Sequence, residues 1–182
     1  MATYTIIPFN TTYYYYPELI PTGQVMEGST INVQEGDVFI LGDLGYNASN
    51  TTFVAATGET APVAFEVQID HDISYSEYTD VFRFTYGDGT EPTINIADGV
   101  DASCLAHNGT ASDGIHVTAG VDSEIGAMLG GTGDNGVVNT YDIGNGSSFS
   151  YIDGRAGGED VINLSDNVTA GFVWTGARAM QP

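Results

Sequence analysis

The sequence predicts an all-β protein: an antiparallel sheet or sandwich half, then a short β-solenoid-like half, with an extended N-terminal arm in front. Three observations carry this reading. Helical periodicity is almost absent. Val, Ile, Thr, Tyr and Phe recur in alternating stretches closed by Gly, Asn and Asp, the pattern of strands and turns. A strand-and-bend unit then recurs through the second half of the chain.

Residues 1–28 read as the arm. They hold Thr3-Tyr4-Thr5-Ile6-Ile7, an extended segment, then Tyr13-Tyr14-Tyr15-Tyr16-Pro17 and a break at Pro21. Four tyrosines in one strand place rings on both faces, which a one-sided surface strand does not need. Either a neighbouring subunit covers both faces by strand exchange, or the rings pack in the ordinary sheet of a Tyr-rich chain. On the first reading Tyr4, Ile6, Tyr13, Tyr14, Tyr15 and Tyr16 form the assembly surface.

Residues 29–90 read as the antiparallel half, with strands at Thr30 to Leu41, Thr52 to Ala56, Val63 to Ile69 and Asp80 to Tyr86. In the last of these, Val81, Arg83 and Thr85 alternate with Phe82, Phe84 and Tyr86, giving one aromatic face. Gly42-Asp43-Leu44-Gly45 and Gly87-Asp88-Gly89 are turn chemistry.

Residues 91–182 carry the repeat. Thr93-Ile94-Asn95-Ile96-Ala97-Asp98-Gly99-Val100-Asp101 is echoed by Gly114-Ile115-His116-Val117-Thr118-Ala119-Gly120-Val121-Asp122, and more weakly near Val137 and Val161. An earlier copy starts at Thr30. Spacings of about 21 to 24 residues suit one coil of a parallel β-solenoid, where inward aliphatics form a ladder. A Greek-key sandwich with similar hairpins is the alternative.

Charge excludes several partners. The chain has 182 residues, 24 Asp and Glu, three arginines (Arg83, Arg155, Arg178), no lysine and a formal net charge of -21. Nucleic acid, anionic lipid and phosphorylated ligands are held mainly by Lys and Arg, so none is expected as a partner. Schiff-base catalysis and a Walker-type phosphate grip need the absent amine. Carboxylates about 6 Å apart in water repel by roughly 0.7 kcal/mol per pair, so salt or a divalent cation is expected to screen them. The lone Cys104 excludes an intramolecular disulfide and reads as a buried small apolar residue. No apolar run reaches the ~18 residues that span a bilayer.

Catalytic motifs are lacking. There is no G-x-S-x-G elbow, and no Ser-His-Asp or Cys-His set stands out. His71, His107 and His116 lack metal-ligand spacing, and His116 takes a structural slot in the repeat. The chain is therefore not expected to be an enzyme.

Gly130-Gly131-Thr132-Gly133-Asp134-Asn135-Gly136-Val137, with a partial copy at Gly158-Glu159-Asp160-Val161-Ile162-Asn163, resembles the calcium-binding nonapeptide of RTX proteins. The resemblance implies a calcium site at Asp134, Asn135, Asp153 and Asp160, and export without an N-terminal signal peptide. The opening Met1-Ala2-Thr3-Tyr4-Thr5-Ile6-Ile7-Pro8-Phe9 and the strand Asp37-Val38-Phe39-Ile40-Leu41 are similar to leader regions that precede Hint domains in bacterial proteins. Together these imply a secreted, extracellular protein. The expected function is a structural subunit that polymerises with itself into a filament or surface layer, its acidic surface neutralised by salt or calcium. The alternative is a calcium-dependent adhesin or carbohydrate-binding module, with exposed Tyr and Trp174 as stacking platforms for a glycan.

Overall fold

The structure is a computed structural model of the chain. It describes residues 3–6, 30–41, 51–56, 58–59, 62–73, 82–109, 112–130, 138–155 and 159–175. They form fourteen strands: β1 (Thr3–Ile6), β2 (Thr30–Val33), β3 (Val38–Leu41), β4 (Thr51–Ala55), β5 (Val63–Ile69), β6 (Phe82–Tyr86), β7 (Thr90–Ile96), β8 (Asp101–Asn108), β9 (His116–Ala119), β10 (Glu124–Leu129), β11 (Val138–Ile143), β12 (Ser148–Arg155), β13 (Glu159–Leu164) and β14 (Thr169–Thr175).

Odd strands make one seven-stranded sheet in the order β1-β3-β5-β7-β9-β11-β13, and even strands make the other, β14-β12-β10-β8-β6-β4-β2. Every pairing is parallel. The chain therefore winds as a β-solenoid, each coil adding one strand to each sheet. All-β is what the sequence predicts, but the expected antiparallel sheet or sandwich half is overturned. Strands β2 to β7, which span that half, pair in parallel like the rest. Alternation of apolar and polar residues fixes which face is buried and is the same for either strand direction.

Both sheets turn their apolar positions inward. β5 alternates buried and half-buried residues from Val63 to Ile69, and β7 continues the ladder with Ile94 and Ile96. At the N-terminal end the core is aromatic. Phe53 stacks on Tyr86 with ring centroids 5.5 Å apart, and Phe39, Phe65 and Phe84 pack around them. Toward the C-terminal end Val117, Ile125, Met128, Ile143 and Ile152 pack with Tyr141 and Phe149.

Tight corners join successive strands, and four of them stack. Gly99, Asp122, Gly146 and Asn167 take the same left-handed position in consecutive coils, with φ of 71°, 55°, 75° and 60°. Gly, Asn and Asp are the residues that adopt it at least cost. Backbone bonds tie the corners together: Gly99 N–H to the Val121 carbonyl at 2.8 Å, Asp122 N–H to Asn145 at 2.9 Å, and Gly146 N–H to Asp166 at 3.0 Å. Beneath them, Ser147 Oγ donates to the Gly120 carbonyl at 2.7 Å and accepts the Ser123 N–H at 3.0 Å.

Candidate functional site

Three surfaces carry chemistry. The first is the outer face of the even sheet, where parallel register aligns side chains into rows. One row runs Arg83, Ala106, Ala127, Tyr151, Phe172 across β6, β8, β10, β12 and β14. The next runs Thr85, Asn108, Leu129, Asp153, Trp174 across the same strands. Neighbouring strands lie about 4.8 Å apart, so each row is a ruler with that spacing.

Small residues at the middle of this face leave a groove of about 450 Å³. Leu105, Ala106 and Ala127 supply its apolar lining, and Arg83, Ser103, Asn108 and Ser150 its polar groups. The groove exists because β8 bulges against β10: between the pairs Ala102–Ile125 and Ala106–Ala127, β8 carries extra residues opposite Gly126. A Cβ on Gly126 would run into the Leu105 and Ser103 carbonyls, so only glycine fits beneath the bulge. Beyond the groove the face becomes aromatic. Tyr151 stacks on Phe172 at 5.5 Å and 10°, and Phe172 lies 6.2 Å from Trp174. Phe172 is 52% and Trp174 53% exposed.

The second surface is the outer face of the odd sheet. Glu66 Oε1 accepts from Gln68 Nε2 at 2.9 Å and from Asn95 Nδ2 at 2.5 Å. Further along, Asp142 accepts from Asn163 Nδ2 at 2.6 Å and lies 2.9 Å from His116 Nε2. These bonds hold the Asp142 carboxyl below its ordinary range. His116 thus occupies a structural slot in the ladder, as its place in the repeat suggests.

The third comprises β12 and β13, which carry two of the four expected calcium ligands, Asp153 and Asp160. Asp160 Oδ1 accepts from Asn139 Nδ2 at 3.1 Å, and Asn139 also donates to the Gly154 carbonyl at 3.1 Å. Burial raises the Asp160 pKa, the Asn139 bond opposes that rise, and the charge of nearby Asp153 adds to it. Asp153 itself accepts from Tyr151 Oη at 3.2 Å. Asp134 and Asn135 lie outside the described residues, as do Tyr13, Tyr14, Tyr15 and Tyr16. Among the described residues, no three His, Cys, Asp or Glu side chains gather as a metal cluster. Of the expected assembly arm, Tyr4 and Ile6 belong to β1, which pairs with β3 of its own chain, Tyr4 beside Phe39 and Ile6 beside Leu41.

Inside the core sits a residue whose role sequence reasoning did not reach. His107 is fully buried, stacks on Tyr86 at 5.9 Å and 9°, and has Nδ1 2.7 Å from Tyr86 Oη. Burial depresses its pKa to about 3, so it is neutral. Its alignment with Phe84's neighbours would have shown this only if the 23-residue offset of Phe84 and His107 had been known.

Among the described residues, β13 and β14 are the last strands of their two sheets. Leu164 and Val173 occupy the inward positions filled one coil earlier by Ile143 and Ile152. Ile143 and Ile152 are 1% and 0% exposed, whereas Leu164 is 48% and Val173 40% exposed. No helix among the described residues is long and apolar enough to cross a membrane. Compared with models of protein families, with curated proteins and with solved structures, the chain matches none.

Proposed function

We propose that the chain is a structural, self-assembling subunit of an extracellular filament or surface layer, its acidic surface neutralised by salt or calcium. The observation that supports this reading is the exposure of Leu164 and Val173, which stand at inward positions of β13 and β14, the edges of the two parallel sheets among the described residues. Exposed edges of this kind are templates for another chain.

A second copy is the partner whose geometry fits. Its β1 and β2 edge the same two sheets at the opposite end, so β1 laid on β13 and β2 on β14 continue both sheets without a change of direction. This gives the N-terminal arm a role in assembly while it stays bonded to its own β3. Such a contact joins unlike surfaces and does not close, which generates a filament. A net charge of -21 per copy opposes stacking, so assembly depends on ionic strength or on bound cations.

Electron microscopy of the purified protein tests the reading. In about 1 M salt or millimolar calcium, filaments are expected, with an axial rise of about 34 Å per subunit, seven strands at about 4.8 Å each. Dispersed particles under all these conditions would refute it, and survival of filaments in chelator would assign the screening to salt alone.

A further inference from the structure

The outer face of the even sheet has chemistry that stacking of coils does not use. Its aromatic residues lie on β12 and on the edge strand β14, in register with the groove. We propose that this face binds a neutral glycan chain, laid across the strands from Arg83 to the Tyr151–Phe172–Trp174 cluster.

Two features of the face suit that ligand. Flat aromatic rings present a π-face to the C–H side of a pyranose, and Tyr, Phe and Trp offer large contact area at low entropic cost. Phe172 and Trp174 are both more than half exposed; Phe172 stacks on Tyr151, and the Trp174 ring is tilted 36° from Phe172. The groove supplies complementary polar groups: the Arg83 guanidinium and the Ser150 hydroxyl are donors that suit sugar hydroxyls.

Spacing is the second argument. Strands recur about every 4.8 Å, and a pyranose in an extended chain advances by a similar distance, so successive sugars meet equivalent rungs. The small Ala106 and Ala127 leave room between the cation and the rings for the chain to lie against the sheet. Charge decides between neutral and acidic sugars. Arg83 stands in a protein of net charge -21, with Asp153 in the adjacent row, and a polyanionic glycan would be repelled.

The test is affinity electrophoresis of the full chain, in low salt and at low protein concentration, through gels containing hydroxyethyl cellulose, xylan, soluble β-1,3-glucan or galactomannan. Trp174 fluorescence titration with the matching hexasaccharide follows. Retardation by at least one of these polymers is expected. Trp174→Ala and Arg83→Gln, both at exposed positions, are expected to weaken binding at least tenfold with an unchanged circular dichroism spectrum. Val173→Asp, on the inward side of the same strand, is expected to retain it, which separates this proposal from the assembly reading. No retardation by any polymer would overturn the proposal, as would binding within twofold of wild type in both face variants. Loss of self-association in Trp174→Ala without any glycan binding would assign the face to a second copy and also overturn it.

Discussion

Val173 lies in register beside Ile152, in the same inward position one coil further on, yet Ile152 is sealed and Val173 is 40% exposed. Inward positions of the last described coil are therefore exposed. In a linear array of coils, each layer is stabilised by its neighbours, and a layer with one neighbour is the weakest. In the unassembled protein, amides of β13 and β14 are expected to exchange with solvent at least tenfold faster than those of β8 and β10. Hydrogen exchange by mass spectrometry checks this, and assembly should remove the difference.

His107 sets a pH dependence of its own. Its pKa falls from 6.5 when unfolded to about 3 in the fold. Above pH 6.5 both states are neutral and the group has no effect on stability. As pH falls below 6.5 the unfolded chain takes a proton that the native core refuses, so stability declines by up to about 1.4 kcal/mol per pH unit. Tyr86 is the polar group facing it, raised by burial and so neutral throughout this window. Asp142, depressed by its hydrogen bonds, contributes stability that is lost only as pH falls through the carboxylate range. Urea denaturation between pH 7 and 4.5 should show the slope in wild type and a reduction of about one proton in His107→Gln, which keeps a partner for Tyr86 and cannot titrate.

Glycines at close approach and glycines at corners should behave differently. A Cβ at position 126 meets two carbonyls of β8, so Gly126→Ala is expected to cost about 3 kcal/mol or more. At Gly99, φ is +71° but nothing lies within 4 Å, so Gly99→Ala is expected to cost about 1–2 kcal/mol of backbone strain. Denaturant midpoints of the two variants give the comparison directly.

Ser147 is a buried hydroxyl between two corners. Its Oγ donates to the Gly120 carbonyl and accepts the Ser123 N–H. Ser147→Ala removes the acceptor of the buried Ser123 N–H, while the Gly120 carbonyl keeps the Ser123 hydroxyl, and a loss of about 1–3 kcal/mol is expected in thermal or urea unfolding.

Cys104 is fully buried on β8, and burial together with the Asp101 charge pushes its thiol up to about 11. Thiolate is the reactive form. Labelling by a thiol reagent at pH 8 is expected to be at least a hundredfold slower in the native protein than in urea.

Strand faces were legible in the sequence, while strand direction was not. Phe84 and Tyr86 are buried and Arg83 exposed, as alternation requires. The repeat was legible in length but not in register. The echo aligns Thr93 with Gly114, whereas the structure pairs Thr93 with His116 and Ile94 with Val117. That slip of two residues preserves the face, which is why the inward ladder could be expected without the pairing. In the first half the offsets between paired strands are longer and uneven. Val38 pairs with Glu66, and Thr51 with Phe84, so insertions at the bends hid the coil. The outward position of Trp174 follows from the register of β12 and β14 and not from its neighbours in sequence.

Sedimentation velocity of the wild type and of Val173→Asp, across a concentration series in about 0.15 M and 1 M salt, addresses the assembly claim most directly. The wild type is expected to shift to larger species as concentration and salt rise, while Val173→Asp remains a folded monomer throughout. A wild type that stays monomeric under all conditions, or a Val173→Asp variant that assembles like the wild type, would contradict it.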